Sequence, residues 1–291
     1  MGKKLAAEKK AAARGGGGFE SYYGGVFGGR WPRLKVALSA GPMHARWDSG
    51  GSAPYFLDPA SVFAALQLPV DGARRILDMC AAPGGKTLVL ASRMPEDAAL
   101  DANERSAVRR QRLFRVCDEC LPEAVRSRVR ILGLDGARMC RTGVQYDRIL
   151  LDAPCSSERH VLESPKHLAE WSPSRVKSLA VEQWALLSSA YRMLSPGGFL
   201  LYSTCALCPE ENDGVAARLL KKFPDAADVF DGGGTAPGVH EDVSPFCAQE
   251  FSFSPERTAH GWHILPDSCG GCGPIWFSLL KKAEGAGSAQ Y

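Results

Sequence analysis

No run of about 18 apolar residues occurs in this chain, so no membrane-spanning helix is expected. The N-terminus lacks the apolar centre of a secretory signal. Its opening, MGKKLAAEKKAAAR, is rich in Lys and Ala, and Glu8 with the lack of Ser argues against a mitochondrial presequence. A G-x-G-x-x-G dinucleotide fingerprint is missing. Zinc-ribbon spacing is missing too. Three C-x-x-C pairs occur (Cys117/Cys120, Cys205/Cys208, Cys269/Cys272), but gaps of 84 and 60 residues separate them, against about 15–20 in a ribbon. No metal is expected, and most of these cysteines read as small core residues.

What is present indicates a sizeable globular domain. The 291 residues are 45% hydrophobic, enough for one large core. Ten cysteines in a chain of this length fit a reduced, intracellular setting better than a disulfide scaffold. A cytoplasmic monomer is expected, with a mitochondrial location as the alternative. Net charge is +3, yet residues 1–46 hold nine Lys and Arg against Glu8 and Glu20. A basic arm on a mildly acidic body fits a polyanionic partner, or serves only as a solvated tail.

Residues 1–18, ending in four glycines, read as a disordered basic tail. Residues 19–54 form a lead-in that interleaves Phe19, Tyr22, Tyr23, Phe27 and Trp31 with Arg30, Arg33 and Lys35. Such rings either stack on unpaired RNA bases or pack onto the core. Residues 55–285 alternate helix and strand patterns. LDPASVFAALQL is a helix with Asp58 as N-cap and Pro59 at its first position. RRILDMC, DAALDANE, SRVRILGLD, YDRILLDAPC and GGFLLYSTC read as strands, with helices at GKTLVLASRM, RSAVRRQRLFRVC, 175–194 and 209–222. This order predicts an α/β, doubly wound, mostly parallel sheet. GWHIL and PIWFSLLKK read as a C-terminal antiparallel hairpin, and residues 224–260 as a loop-rich insertion.

The stretch ILDMCAAPGGKT ends like a Walker A loop, in Gly85-Lys86-Thr87, but Cys80 stands where the first glycine is required. Without that backbone freedom a triphosphate cradle is not expected. Small residues after a strand and the acid Asp78 suit a nucleoside with an amino-acid moiety, whose carboxylate the next helix start would favour. Acids stand at three further strand ends: Glu104 (with Asp101 nearby), Asp135 and Asp152. Ligands of open α/β sheets sit beyond such ends, and an acid after the second strand is the usual ribose partner. The other two could meet an adenine amino group and a sulfonium charge. Two ends also carry thiols, Cys155 and Cys205, either of which can serve as a carbon nucleophile. A cysteine hydrolase with His160 as base is a rival with little sequence support.

LDMCAAPGGKT, LDAPCSS and YSTCALCPEEN resemble the motifs of the Nop/Sun family of RNA cytosine-5 methyltransferases, over roughly residues 55–282. FLDPASVFAALQL, APCSSERH and GPIWFSLLKK are similar to its compact mitochondrial ribosomal-RNA type. The resemblance implies a class I methyltransferase (Rossmann-like) fold. It also implies S-adenosylmethionine held by Cys80, Ala81, Ala82, Pro83, Gly84, Gly85 and Lys86. Glu104 would take the ribose hydroxyls with Arg109 nearby, Asp135 would lie near adenine, and Asp152 between cofactor and target base. Cys205 would attack carbon 6 of cytosine and Cys155 assist product release. Lys86 would either steady developing charge or serve the helix start. The expected substrate is RNA, ribosomal before transfer RNA, presented by the N-terminal arm or by a partner protein. A non-catalytic RNA-binding assembly factor on the same fold is the first alternative, and a nucleotide-triphosphatase the second.

Overall fold

The computed structural model describes residues 14–230 and 253–285. Two helices open it, α1 (Gly15–Phe27) and α2 (Trp31–Ser39), followed by a short antiparallel pair, β1 (Ala45–Trp47) and β2 (Tyr55–Leu57). Helix α3 (Pro59–Leu66) starts where its sequence demands: Asp58 Oδ1 accepts the Ala60 N–H at 2.8 Å, and proline holds the first position. Then come β3 (Arg75–Asp78), α4 (Gly85–Arg93), β4 (Ala99–Asn103), α5 (Ala107–Cys120), α6 (Glu123–Arg126) and β5 (Val129–Leu132). After a 3-10 turn at Gly136–Thr142 the chain continues with β6 (Tyr146–Asp152), α7 (Glu158–Glu163), α8 (Pro165–Glu170), α9 (Pro173–Met193) and β7 (Leu194–Thr204). Helix α10 (Asp213–Lys222), β8 (Ala226–Asp228), β9 (Glu256–Arg257), β10 (Trp262–Ile264) and β11 (Ile275–Lys282) complete it.

The main sheet runs β5-β4-β3-β6-β7-β11-β10-β9, with β8 beside β11. Strands β5 to β7 are parallel; β11, β10 and β9 continue the sheet antiparallel, and the β10–β11 pair is the hairpin that the apolar C-terminal segments predict. The chain order reverses between β3 and β6, which makes the crevice beyond those two strands the switch point where ligands bind. Side chains alternate between two cores. Ile76, Leu100, Leu150 and Leu201 pack toward α3, α4 and α5, whereas Leu77, Ile149, Leu151 and Tyr202 pack toward α9 and α10. Both faces are covered, which is why these strands are nearly all apolar.

Of the two readings of the N-terminal lead-in, packing onto the core is the one that three of its rings follow. Phe19, Tyr23 and Trp31 are buried in a third cluster with Leu34, Leu38, Trp171, Leu207 and Leu265. The Phe19 and Trp171 rings meet edge-on at 5.4 Å, and Tyr23 stacks on Trp31 at 5.2 Å. Rings so packed cannot stack on bases. The cations are engaged as well: Arg30 pairs with Glu256 and Asp267, Arg33 with Asp267, and Lys35 with Glu20. Gly15–Gly18, expected to belong to a disordered tail, form the first turn of α1. The Gly15 N–H donates to the Trp171 carbonyl at 2.9 Å, and a Cβ on Gly16 would lie 3.8 Å from Leu168. Docking against α8 and Trp171 supplies the stability that glycine's helix propensity denies. Residues 1–13 of that tail lie outside the described residues, as do 231–252 of the loop-rich insertion; the flanking parts of the insertion form β8 and β9. No helix among the described residues is long and apolar enough to cross a membrane.

Candidate active site

The loop between β3 and α4 sits at the switch point. Gly84 has φ +122°, and a Cβ there would approach Val116 of α5 to 2.9 Å. A Cβ on Gly85 would meet Leu57 of β2 at 3.0 Å and Tyr55 at 3.1 Å. The two glycines therefore let the loop lie tightly between α5 and β2. Arg109 reinforces this, donating through Nη2 to the Ala82 carbonyl at 2.7 Å. No side chain caps the start of α4, so its first amides are available to an anion.

A cavity of about 710 Å³ opens beside this loop. Cys80, Glu104, Arg109 and Asp135 line it, together with Met79, Asn103, Arg105, Arg138, Pro154 and Glu182. Glu104 is buried, accepting the Ser106 N–H at 2.7 Å and facing Arg109 Nη1 at 3.1 Å. Asp135 caps the 3-10 turn through the Ala137 N–H at 3.2 Å. Asp101 is not in this lining. Arg130 holds it at 2.8 and 2.7 Å, and the Tyr146 hydroxyl at 2.7 Å, which makes it a structural anchor within the sheet.

A smaller cavity of about 120 Å³ lies on the other side of the loop, lined by Ala81, Ala82, Pro83, Gly85, Lys86, Asp78 and Asp152; Cys80 borders both. Lys86 Nζ donates to Asp152 Oδ2 at 2.7 Å and approaches Ser61 Oγ at 3.3 Å, while Ser203 Oγ donates to Asp152 Oδ1 at 2.9 Å. Burial opposes the lysine's charge, but the field and hydrogen bond of Asp152 outweigh it, with Cys205 adding to the same effect; the pKa ends above the usual lysine value. Asp78 is wholly buried and takes the Thr87 hydroxyl at 2.6 Å, and burial pushes its pKa up to about 7. Burial likewise pushes the Cys80 thiol well up, leaving it protonated and unreactive.

The two strand-end thiols meet. Cys155 follows β6, Cys205 follows β7, and these strands are paired with Asp152 opposite Ser203. The Sγ atoms lie 2.9 Å apart. The hydrogen bond to Cys205, and then burial, push Cys155 well above the usual thiol range; either sulfur can donate the proton between them. His160, the candidate base of the hydrolase alternative, is at the surface beside Glu163 and His167.

Residues 65–243 match the family described as 16S rRNA methyltransferase RsmB/F. The chain belongs to the RsmB/F family. It is 38% identical over 194 residues to proteins named Ribosomal RNA small subunit methyltransferase F from Shigella boydii and Escherichia coli, covering 65% of this chain. The chain spans about 40% of the length of these curated relatives. A methyltransferase homologue from Pyrococcus horikoshii superposes with a TM-score of 0.65 at 21% identity, over 91% of this chain and 94% of its own. NSun6 from the same organism, solved with SFG, gives 0.61 at 24%, over 80% and 54%. These likenesses show the α/β class I methyltransferase fold.

Several residues of this RsmB/F cleft were not singled out by sequence reasoning. Asn103 ties three strand-end loops together, donating to the Met79 and Leu134 carbonyls at 3.1 Å and accepting the Leu134 N–H at 2.8 Å. Its place directly before Glu104 was the available signal. Ser203, Gln183, Glu158 and Glu211 gave none, because contacts that define them, to Asp152, Glu211, Tyr23 with Leu207, and Ser156 with Gln183, are distant in sequence. Among the described residues one cluster brings three potential metal-ligating side chains together, Glu158, Cys208 and Glu211. No C-x-x-C pair supplies both of its sulfurs to it.

Proposed function

We propose that this chain transfers a methyl group from S-adenosylmethionine to carbon 5 of cytosine in RNA. The observation that carries this reading is the thiol pair at 2.9 Å, on strand ends next to the Lys86–Asp152 pair and a cavity of cofactor size. A binding scaffold has no use for two such sulfurs.

The donor groups fit the cofactor. Glu104 offers a carboxylate where ribose hydroxyls are met in this fold, Asp135 flanks the same cavity, and the uncapped start of α4 suits a carboxylate. When bound, S-adenosylmethionine supplies an electrophilic methyl on a sulfonium. The remaining work falls to the chain. Cys205, as thiolate, adds to carbon 6 of an unstacked cytosine and makes carbon 5 enamine-like. Asp152, held by Lys86 and Ser203, bonds the base edge and favours protonation near N3 as charge develops. Cys155, directly or through water, takes the carbon-5 proton, so that the Cys205 sulfur can leave. Cys155 must be a thiolate at that step, its own proton having passed to solvent.

The family description and the names of the bacterial relatives support ribosomal RNA as the substrate, ahead of transfer RNA. Those relatives also favour a cytoplasmic setting; the likeness to the compact mitochondrial type rests on the motifs alone. Presentation of the RNA by a partner protein, and a monomeric state, belong to the same proposal. Labelled methyl transfer to RNA, with bisulfite sequencing of RNA from cells with and without the protein, tests the reading. New 5-methylcytosine at one site supports it, and its absence overturns it.

A further inference from the structure

Behind the thiols lies a buried polar network that the methyl-transfer chemistry does not use. Glu158 is completely buried. Its Oε1 accepts short hydrogen bonds from the Tyr23 and Ser156 hydroxyls, and its Oε2 accepts the Leu207 N–H at 2.9 Å. Ser156 adjoins Cys155, and Leu207 is two residues past Cys205. Tyr23 belongs to α1. A second buried carboxylate, Glu211, accepts the Ser156 N–H at 3.0 Å, the Gln183 amide at 2.6 Å and the Cys208 thiol at 3.1 Å.

We propose that Glu158 is the positioning residue of the thiol pair: one buried carboxylate that ties the Cys155 loop, the Cys205 loop and helix α1 to a single point. The inference rests on the methyl-transfer reading only for its kinetic consequences. Three donors aimed at one carboxylate match its ionised form. Those inward-pointing protons also disfavour a cation among Glu158, Cys208 and Glu211, so the cluster acts as a clamp rather than a metal centre. Burial, followed by the charge of Glu211, pushes Glu158 up to about 7 against the pull of its donors. The other titratable groups facing it are Tyr22 and Tyr23 from α1, Cys155, and Cys208 after β7. Protonation removes the charge that the three donors hold, and the grip on both loops weakens.

Two readouts on the full chain test this. The first needs no RNA. Diamide takes two electrons and two protons from a pair of thiols and becomes the hydrazine, closing Cys155 and Cys205 into a disulfide that peptide mass spectrometry detects. Glu158→Gln keeps the side-chain shape and removes the charge, and should slow this closure by about tenfold or more as the loops lose their spacing. The second readout is kinetic. Wild-type kcat should rise with pH through a limb near 7. Glu158→Gln should lose that limb and about 10²-fold in kcat, the cost of a misplacement near 1 Å, while KM for S-adenosylmethionine holds. Wild-type closure rates and an unchanged pH limb in Glu158→Gln would overturn the proposal. Slower closure in a protein that shows no methyl transfer at all would sustain Glu158's role and sink the functional reading instead. If Glu158→Gln does not fold, Tyr23→Phe decides: it keeps the ring packing, removes one donor to the charged form, and should move the limb to higher pH. An unmoved limb counts against the clamp.

Discussion

The half of the cleft beyond β4 and β5 and the half beyond β6 and β7 are built from contacts of different range. In the first, each acid is held by its own chain neighbours: Glu104 by Ser106, Asp135 by Ala137. In the second, the decisive contacts join distant segments. Cys155 meets Cys205 across 50 residues, Glu158 meets Leu207 across 49 and Tyr23 across 135. Binding geometry thus forms with the local turns, whereas the thiol geometry exists only once the lead-in helices and both loops have docked. Substitutions in one half can therefore be set against substitutions in the other.

The largest effects belong to the long-range half. Cys205→Ala should lower methyl transfer by more than about 10⁴-fold, as loss of a nucleophile does. Cys155→Ala should stop after attack and accumulate a covalent RNA–protein adduct on a denaturing gel. An adduct from Cys205→Ala and none from Cys155→Ala would exchange the two roles.

The next effect concerns Asp78, which ends β3 between the two halves. Burial raises its folded-state pKa from 3.8 to about 7. The folded protein therefore keeps a proton that the unfolded chain releases. The stability this contributes is complete below pH 3.8 and is lost as pH rises through about 7, in total about 4 kcal/mol. Glu158 contributes with the same sign. Urea unfolding at a series of pH values should show stability falling as pH rises, and Asp78→Asn should flatten that slope. A slope untouched by the substitution would assign the whole effect to the thiol half.

Much of the fold could be read from the sequence because its signals are local. Asp58-Pro59 announced a helix start, apolar runs gave β3 through β7, and the acids stood at strand ends. What could not be read depends on tertiary contact. Gly15–Gly18 are helical only because α8 and Trp171 receive them. The aromatic lead-in carried the same composition whether its rings met bases or Trp171. Gly84 and Gly85 looked like ligand-approach residues, and the structure adds a packing need from Val116 and Leu57. Glu158 was not singled out, since two of the partners that define it, Tyr23 and Leu207, lie 135 and 49 residues away.

A smaller effect is expected at Glu104. If Glu104 holds the ribose as proposed, removing its carboxylate should cost about 1.5–3 kcal/mol of binding, the worth of a charged hydrogen bond, which raises KM for S-adenosylmethionine about tenfold or more while kcat changes little. Glu104→Ala measured by steady-state kinetics checks this. A fall in kcat at constant KM would mean that the two halves are coupled, and the division between local and long-range halves would fail.

The smallest effect separates the lead-in from the arm before it. Arg30, Arg33 and Lys35 spend their charge on Glu256, Asp267 and Glu20, so they have little to offer a phosphate. Of the six remaining cations of residues 1–46, four are the lysines Lys3, Lys4, Lys9 and Lys10. Replacing those four by Gln should weaken RNA binding mainly at low salt and reduce the salt slope by about 0.7–0.9 for each phosphate no longer neutralised. Arg33→Ala, which removes an exposed arginine from a buried acid that Arg30 still holds, should cost under about 1 kcal/mol of stability and leave the slope alone. The opposite result, a slope sensitive to Arg33 and indifferent to the lysines, would mean that RNA competes with Asp267 for the lead-in's arginines. The lead-in would then be a substrate contact held closed by its own acids, as well as the support for the thiols.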